Sequence, residues 1–455
     1  MAGLGAKLWT AGEVATAANI NGYLQDQTLM NFASTAARDA AFGGVGEPTL
    51  SEGMFAYTTD TNTLWLYSGS TNGWVNLLGS DIGQQALSNR NVIINGAMQV
   101  AQRGTSTAGI TSSGYYTADR WAIGLTSMGT WTQSVEADAP TGSGFRNSLK
   151  VLCTTADASP AASDSVVHRT YLEGQNLQQF LKGTASAKPF ALSFWVKSNV
   201  TGTYIFELTD IDNTRRISAS YSISVSGTWE KKTIILTADT TGAFDNDNAA
   251  SLQVQWWLGA GSDATSGTLN TTWSNTAAAN RAVGQTNLAA ATSNYWQVTG
   301  VQLEAGAVAT PFEFEQISNT LEKCQRYYEK SYNIGVNPAT ANSAGSVILT
   351  QERSTLDGGA GYRHYGFAAF KVTKRTTPTM TGYSQAGTIT NFTTNRAGNS
   401  GTAGFYNQYV AVSADGESNL LFQDIGTQNT VIVGRTAAAQ TLDVGVVHYV
   451  ASAEL

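Results

Sequence analysis

Apolar and polar positions alternate along much of residues 91–315. Within 189–198, Phe190, Leu192, Phe194 and Val196 share one face of a strand, and Ala191, Ser193, Trp195 and Lys197 share the other. Within 251–259, Leu252, Val254, Trp256 and Leu258 fall on one side, and Gln253, Gln255 and Trp257 on the other. About ten such stretches, separated by Gly, Asp and Asn turns and without a long helical pattern, predict a β-sandwich or barrel. Phe194 and Trp256 read as core. Trp195 and Trp257 read as indoles on a polar outer face, where a partner must account for them.

The alternation slips at Gly300. Trp296 and Val298 share a face, then Val301 and Leu303 do, so a bulge is expected between them. Glu304-Ala305-Gly306 turns the chain out of the sheet. Beyond Pro311 the period becomes helical. Ile317, Leu321, Cys324 and Tyr328 fall on one face of a connecting helix within 316–330, with Asn319 and Glu322 as a capping pair.

Residues 1–90 predict a small α+β segment. Thr16 is placed to cap a helix bearing Ile20, Tyr23, Leu24 and Gln27. A short strand near Leu29–Ala33 follows, then a second short helix closed by Gly43-Gly44, then a three-stranded meander with turns at Asp60-Thr61-Asn62 and Ser70-Thr71-Asn72-Gly73. Such a short core is marginal alone and calls for neighbouring copies or a docking partner. Residues 331–455 contain further strand patterns and no Trp, and predict a smaller, distal β-sandwich in which Leu442, Val444, Val446, His448 and Val450 alternate along the last strand. The expected fold is therefore mainly β, in four parts: 1–90, 91–315, 316–330 and 331–455.

Composition sharpens this. Charged residues make up 13% of the chain and Gly contributes 46 positions, which suits short strands and turns. A net charge of -7 without any Lys/Arg run argues against nucleic acid. Two cysteines, Cys153 and Cys324, make no disulfide framework and read as buried thiols. Apolar runs stay well short of the ~18 residues of a membrane-spanning helix. The N-terminus lacks a basic stretch leading into a continuous apolar one, so no signal peptide is expected.

Chemistry is sparse. The nucleophile elbow, the paired-histidine zinc motif and the phosphate-binding glycine loop are all missing. Of the three histidines, His168, His364 and His448, His168 and His448 lie in strand-like sequence and read as satisfied sheet histidines. Glu173, Asp210, Asp212 and Glu230 are not paired as glycoside cleavage requires. The expectation is a non-enzyme without catalytic residues. Two Asx clusters, Asp210, Asp212 and Asn213, and Asp245, Asn246, Asp247 and Asn248, offer oxygens at alternate positions that suit calcium, or else form ordinary turns. No other cofactor is implied. Sugar binding needs flat aromatic faces beside amides or carboxylates. Trp195 and Trp257, with Gln253 and Gln255 on the latter's face, meet that need. A covering subunit or loop would explain the same indoles.

The segments "NVIINGAMQVAQRGTS", "GYYTADRW", "TGVQLEAGAVATPFEFE" and "CQRYYEK", in this order from about Asn91 to Lys330, resemble a β-sandwich module of tailed-phage virion proteins, which is similar to jelly-roll carbohydrate-binding modules. "AGEVATAANINGYLQDQ" resembles the N-termini of phage tail proteins, and "KRTTPTMT" with the terminal "SAEL" resembles the distal domain that follows the module. The resemblance implies a jelly-roll-like centre and a virion protein made in the host cytoplasm. Its N-terminal segment would dock other virion proteins. It also implies assembly as a trimer, adsorption to a host surface glycan, and sometimes a structural calcium. A tail fibre or receptor-binding fibre is the first expectation. A neck, collar or head decoration using the sandwich as a spacer is the second, and a glycan-hydrolase accessory module the third.

Overall fold

A computed structural model describes residues 12–14, 16–17, 29–43, 49–69, 73–77, 89–275, 277–353, 362–389, 393–397, 405–409, 420–436 and 443–455. The chain divides into two compact units, Met1–Arg90 and Asn91–Leu455.

In the first unit, β1 (Met30–Phe32) runs parallel to β2 (Phe55–Thr58), and β3 (Thr63–Tyr67) and β4 (Trp74–Asn76) complete an antiparallel meander in the order β1-β2-β3-β4. Helix α1 (Thr35–Asp39) is capped by Ser34, whose Oγ accepts from the Ala37 N–H at 3.1 Å. With few large apolar side chains to bury, the unit packs the Arg38 guanidinium over Trp65 and Trp74, 4.5 and 5.0 Å from their ring centres. Most of the helix expected after Thr16 lies outside the described residues.

The second unit starts with β5 (Ser106–Ile110), β6 (Gly114–Tyr115), β7 (Ala122–Thr126), β8 (Thr130–Glu136), β9 (Ser148–Thr155) and β10 (Ser165–Glu173). It continues with β11 (Phe190–Ser198), β12 (Gly202–Asp210), β13 (Arg215–Ile223), β14 (Glu230–Leu236), β15 (Ala250–Ala260), the single turn α2 (Ser262–Thr265) and β16 (Tyr295–Ala305). Twelve strands make two six-stranded sheets, β13-β12-β15-β10-β7-β6 and β14-β11-β16-β9-β8-β5, with antiparallel neighbours throughout. They pack face to face. Phe194 of the second sheet meets Trp256 of the first at 5.5 Å and Tyr221 at 5.2 Å, and Trp296 meets Trp256 at 6.2 Å. Trp121, Trp131, Trp256 and Trp296 are fully buried between the sheets. This is the expected mainly-β, sandwich-centred fold.

The expected bulge sits at Gly300. The β11/β16 register shifts between Ser193↔Gln302 and Trp195↔Thr299, and Gly300 adopts φ +63. A Cβ there would lie 2.5 Å from the Phe145 ring, so glycine is required twice over.

Helix α3 (Ile317–Gln325) forms as expected but starts earlier. Gln316 is its N-cap and Asn319 lies in the first turn, so Asn319 and Glu322 do not cap it. Thr320, Cys324 and Gln325 are buried, Leu321 is half-buried and Ile317 is exposed. Tyr328 belongs to the next strand. Cys324 is buried as the period predicts, whereas Ile317, two turns earlier on the same face, is the first residue of the helix and stays exposed.

The remainder holds β17 (Tyr328–Lys330), β18 (Val347–Arg353), β19 (Tyr362–Ala369), β20 (Thr379–Tyr383), β21 (Thr393–Ala397), β22 (Phe405–Tyr409), β23 (Leu420–Gln423), β24 (Asn429–Thr436) and β25 (Asp443–Ser452). Strand β25 serves two layers. Its first half pairs with β18 and β21, and its second half with β17 and β20. Leu349, Ile432, Val447, Tyr449 and Ala451 fill the space between them. This part is joined to the central sandwich by buried charge. Arg326 grips Glu173 with two 2.8 Å bonds, Arg120 and Arg103 both pair with Glu454, and Lys330 Nζ donates to the Gln102 carbonyl at 2.7 Å.

Candidate functional site

The outer face of the β14-β11-β16-β9-β8-β5 sheet gathers aromatic and polar side chains into one patch. Trp195 stands opposite Lys231 on one side and Thr299 on the other. Lys197 stands opposite Gln297, and Gln297 opposite Lys150. Trp229, just before β14, lies under the Lys197 ammonium at 5.0 Å, and Tyr295 under that of Lys150 at 4.9 Å. Trp195, Trp229 and Tyr295 are all half-buried.

Asp138, in the loop after β8, ties the patch together. It pairs with Lys197 and accepts from Trp229 Nε1 at 3.2 Å and Gln297 Nε2 at 3.2 Å. Partial burial would raise its pKa, but the bonds from Lys197, Trp229 and Gln297 outweigh that and hold it below the usual carboxylate value. The Trp229 indole is thereby fixed beside a charged carboxylate, on a sheet that also carries Lys150 and Lys231. Such a surface can stack on a flat apolar ring face and bond its hydroxyls. Alternation along the strands identified Trp195 and Lys197. Asp138, Trp229 and Tyr295 come from a loop and two strand ends, and nothing local in the sequence marks them as neighbours.

Trp257 is a correction. It does point away from Trp256, but it is only 4% exposed. Residues 261–290 fold back over it, and Val167, Ile205 and Ala282 enclose the ring with Leu269. Arg281 stacks on it at 5.0 Å while its guanidinium pairs with buried Glu207 at 2.6 Å. Gln255 is 1% exposed and donates to Glu207 at 2.7 Å, and Gln253 bonds Gln255. The partner demanded by this indole is the chain's own loop, so Trp257, Gln253 and Gln255 form a closed network and not a sugar platform.

The Asx clusters do meet, at one end of the sandwich, where several of their oxygens already accept hydrogen bonds. Asp210 is fully buried and binds the Lys182 ammonium at 2.5 Å, as well as the Asn213 backbone N–H at 3.1 Å. Asp212 accepts from the Asp245 N–H at 3.0 Å, Asp247 accepts from the Ala249 N–H at 2.9 Å, and Asp245 is exposed. Among the described residues no group of three or more His, Cys, Asp or Glu is arranged to hold a metal.

His168 is buried among Trp121, Trp256 and Trp296, stacked on Trp121 at 5.1 Å, and neither ring nitrogen reaches a hydrogen-bond partner. It is therefore a core residue but not a satisfied one. Burial drives its pKa down to about 3, so it stays neutral. His448 is satisfied, between Ser331 Oγ at 3.0 Å and the Asn342 carbonyl at 2.9 Å. Glu173 is held by Arg326, and Glu230 by Lys232 at 2.6 Å. A small open cleft lined by Asn91, Asn95, Phe312, Glu313 and Phe314 lies elsewhere and includes no candidate residue.

No family model and no curated protein matches this chain. Several solved structures share part of its strand arrangement. The enzymatically active domain of bacteriophage CBA120 tailspike protein 4 is 13% identical over 48% of this chain, with a TM-score of 0.26, and the match spans only 21% of that protein. A family 11 carbohydrate-binding module from Clostridium thermocellum, solved with a mixed-linked tetrasaccharide, is 12% identical over 46% of this chain and 99% of its own, with a TM-score of 0.23. A family 61 module solved with β-1,4-galactotriose is 9% identical over 48% and 99%, with a TM-score of 0.25. No helix among the described residues is long and apolar enough to cross a membrane.

Proposed function

We propose that this chain is a non-enzymatic glycan-binding protein of a tailed-phage particle, and that its contact surface is the Trp195–Trp229 face of the central sandwich. The observation that carries the reading is the half-exposed Trp229 indole, held by Lys197 and Asp138, on the same sheet as the half-exposed Trp195, which stands opposite Lys231. Both stay partly accessible. The virion assignment rests on the sequence resemblance of residues 91–330 and of the N-terminal segment. On that reading residues 1–90 dock to other virion proteins, the protein assembles as a trimer, and the particle is a fibre-bearing one. Weak contacts per site then add up through repeated copies.

The test is binding of purified protein to host cells and to an array of surface glycans. Trp195→Ala combined with Trp229→Ala should lower binding at least tenfold, since each stacked ring contributes about 1 kcal/mol, and should leave the oligomer and Tm intact. Undiminished binding by a folded double variant would refute the site. Failure of the native protein to bind any glycan or cell surface would refute the function.

A further inference from the structure

The end of the sandwich where the Asx clusters meet contains an unusual arrangement. The Lys182 side chain is 1% exposed, and its ammonium has four oxygens around it. Asp210 Oδ2 lies at 2.5 Å and Asp239 Oδ2 at 3.1 Å. The Thr241 carbonyl lies at 3.0 Å and the Gly242 carbonyl at 2.6 Å. Phe244 and Trp273 close the remaining sides, with ring centres 5.2 and 5.3 Å from Nζ. The oxygens come from three places: the end of β12, the loop after β14, and the turn that follows. The cage is supported from outside. Arg215 grips both oxygens of Asp239 at 2.7 and 2.9 Å, and Asn213 Nδ2 reaches Asp210 Oδ2 at 3.0 Å and the Ala243 carbonyl at 2.8 Å.

Two carboxylates and two carbonyls facing one point are a hard-oxygen cation site. Here the cation is covalently part of the chain. We infer that Lys182 is the resident cation of this cage, that the native protein neither needs nor takes a divalent ion there, and that removal of the ammonium exposes a latent site for a hard divalent or trivalent cation. The charge count supports this. With Lys182 in place, two carboxylates face Lys182 and Arg215. Without it, one buried negative charge is uncompensated, which a cavity lined by oxygen can relieve only by admitting a cation. Calcium is the matching class because the ligands are all oxygen and come partly from backbone carbonyls. The consequence reaches function: adhesion through the sandwich should persist in chelating media.

The experiment uses the full chain, with Ca²⁺ for stability and Tb³⁺ as an optical probe, because Trp273 is close enough to the cage to sensitise lanthanide emission. The native protein should keep the same Tm in EDTA and in millimolar CaCl₂ and give no tryptophan-sensitised Tb³⁺ emission. Lys182→Met, which keeps the volume and removes the charge, should lower Tm by roughly 10 °C. Lys182→Ala should lose at least as much, regain part of it saturably with CaCl₂, and show Tb³⁺ emission that Asp210→Asn abolishes in the same background. If Lys182→Ala folds only when refolded with CaCl₂, the inference is supported. If it fails to fold with and without calcium, or folds and takes up neither ion, the latent site is refuted. A native Tm that rises saturably with calcium and loses that rise in Asp210→Asn, or an unchanged Tm in Lys182→Met, would refute Lys182 as the resident cation.

Discussion

A single imidazole sets how the sandwich responds to acid. His168 is enclosed by indole rings and unpartnered, and its pKa falls to about 3 because burial penalises the charged form. In the unfolded chain the value is near 6.5, so below that pH the unfolded state binds a proton that the folded state refuses. The stability this contributes is complete above pH 6.5 and is lost as pH falls from 6.5 towards 3, at about 1.4 kcal/mol per unit. His168→Phe keeps a flat ring against Trp121 and removes the titration. Between pH 7 and pH 5 the native protein should lose about 2 kcal/mol more than His168→Phe, read from urea midpoints. Equal losses would mean that the ring is solvated. The strand pattern of 165–173 placed His168 in a sheet, but its surroundings come from β7, β15 and β16, which no local reading joins. Trp257 makes the same point. Its direction followed from Trp256 by alternation, whereas its cover, residues 261–290, is irregular backbone whose path the pattern of apolar positions does not encode.

Among the elements, β16 was the most legible, because a phase slip around a glycine has few physical causes. Gly300 has both φ +63 and a Cβ position 2.5 Å from Phe145, whereas Gly142 has φ +76 with open space around it. Gly142→Ala should cost about 1 kcal/mol, the left-handed backbone alone. Gly300→Ala should cost about 3 kcal/mol, since the aromatic cluster of Phe145, Phe312 and Phe314 must also give way. Denaturant midpoints of the two variants test this, and equal costs would show that Phe145 moves freely. Helix α3 was legible in place and largely in the face it buries, since Cys324 is buried and Leu321 half-buried. Ile317 shares that face but begins the helix and stays exposed, because how far along its length a helix is covered depends on residues distant in sequence that its period does not encode.

For the whole molecule the open matter is whether the central sandwich and the residues from Tyr328 onward stand or fall together. The sequence separates them sharply, since no tryptophan follows Trp296. The structure joins them through charges that water cannot reach. Arg120 is 1% exposed, and its ion-pair partner is Glu454. Lys330 Nζ donates to the Gln102 carbonyl at 2.7 Å, and Arg103 pairs with the same Glu454 carboxylate at 2.9 Å. A buried pair of this kind adds little net stability, but breaking it leaves a charge stranded at a cost of about 3–5 kcal/mol. Glu454→Gln strands Arg120, which belongs to the sandwich, through a change made some 330 residues away in sequence. In a chain beginning at Asn91, tryptophan emission reports the sandwich alone, so its melting transition is a clean readout. If the two parts unfold as one, that transition should fall by roughly 10 °C in Glu454→Gln and coincide with loss of β-structure by circular dichroism. If the tryptophan transition stays where it was while circular dichroism shows a separate, earlier loss, the distal strands are an independent domain, and the charged seam holds two folded bodies in register without coupling their stability.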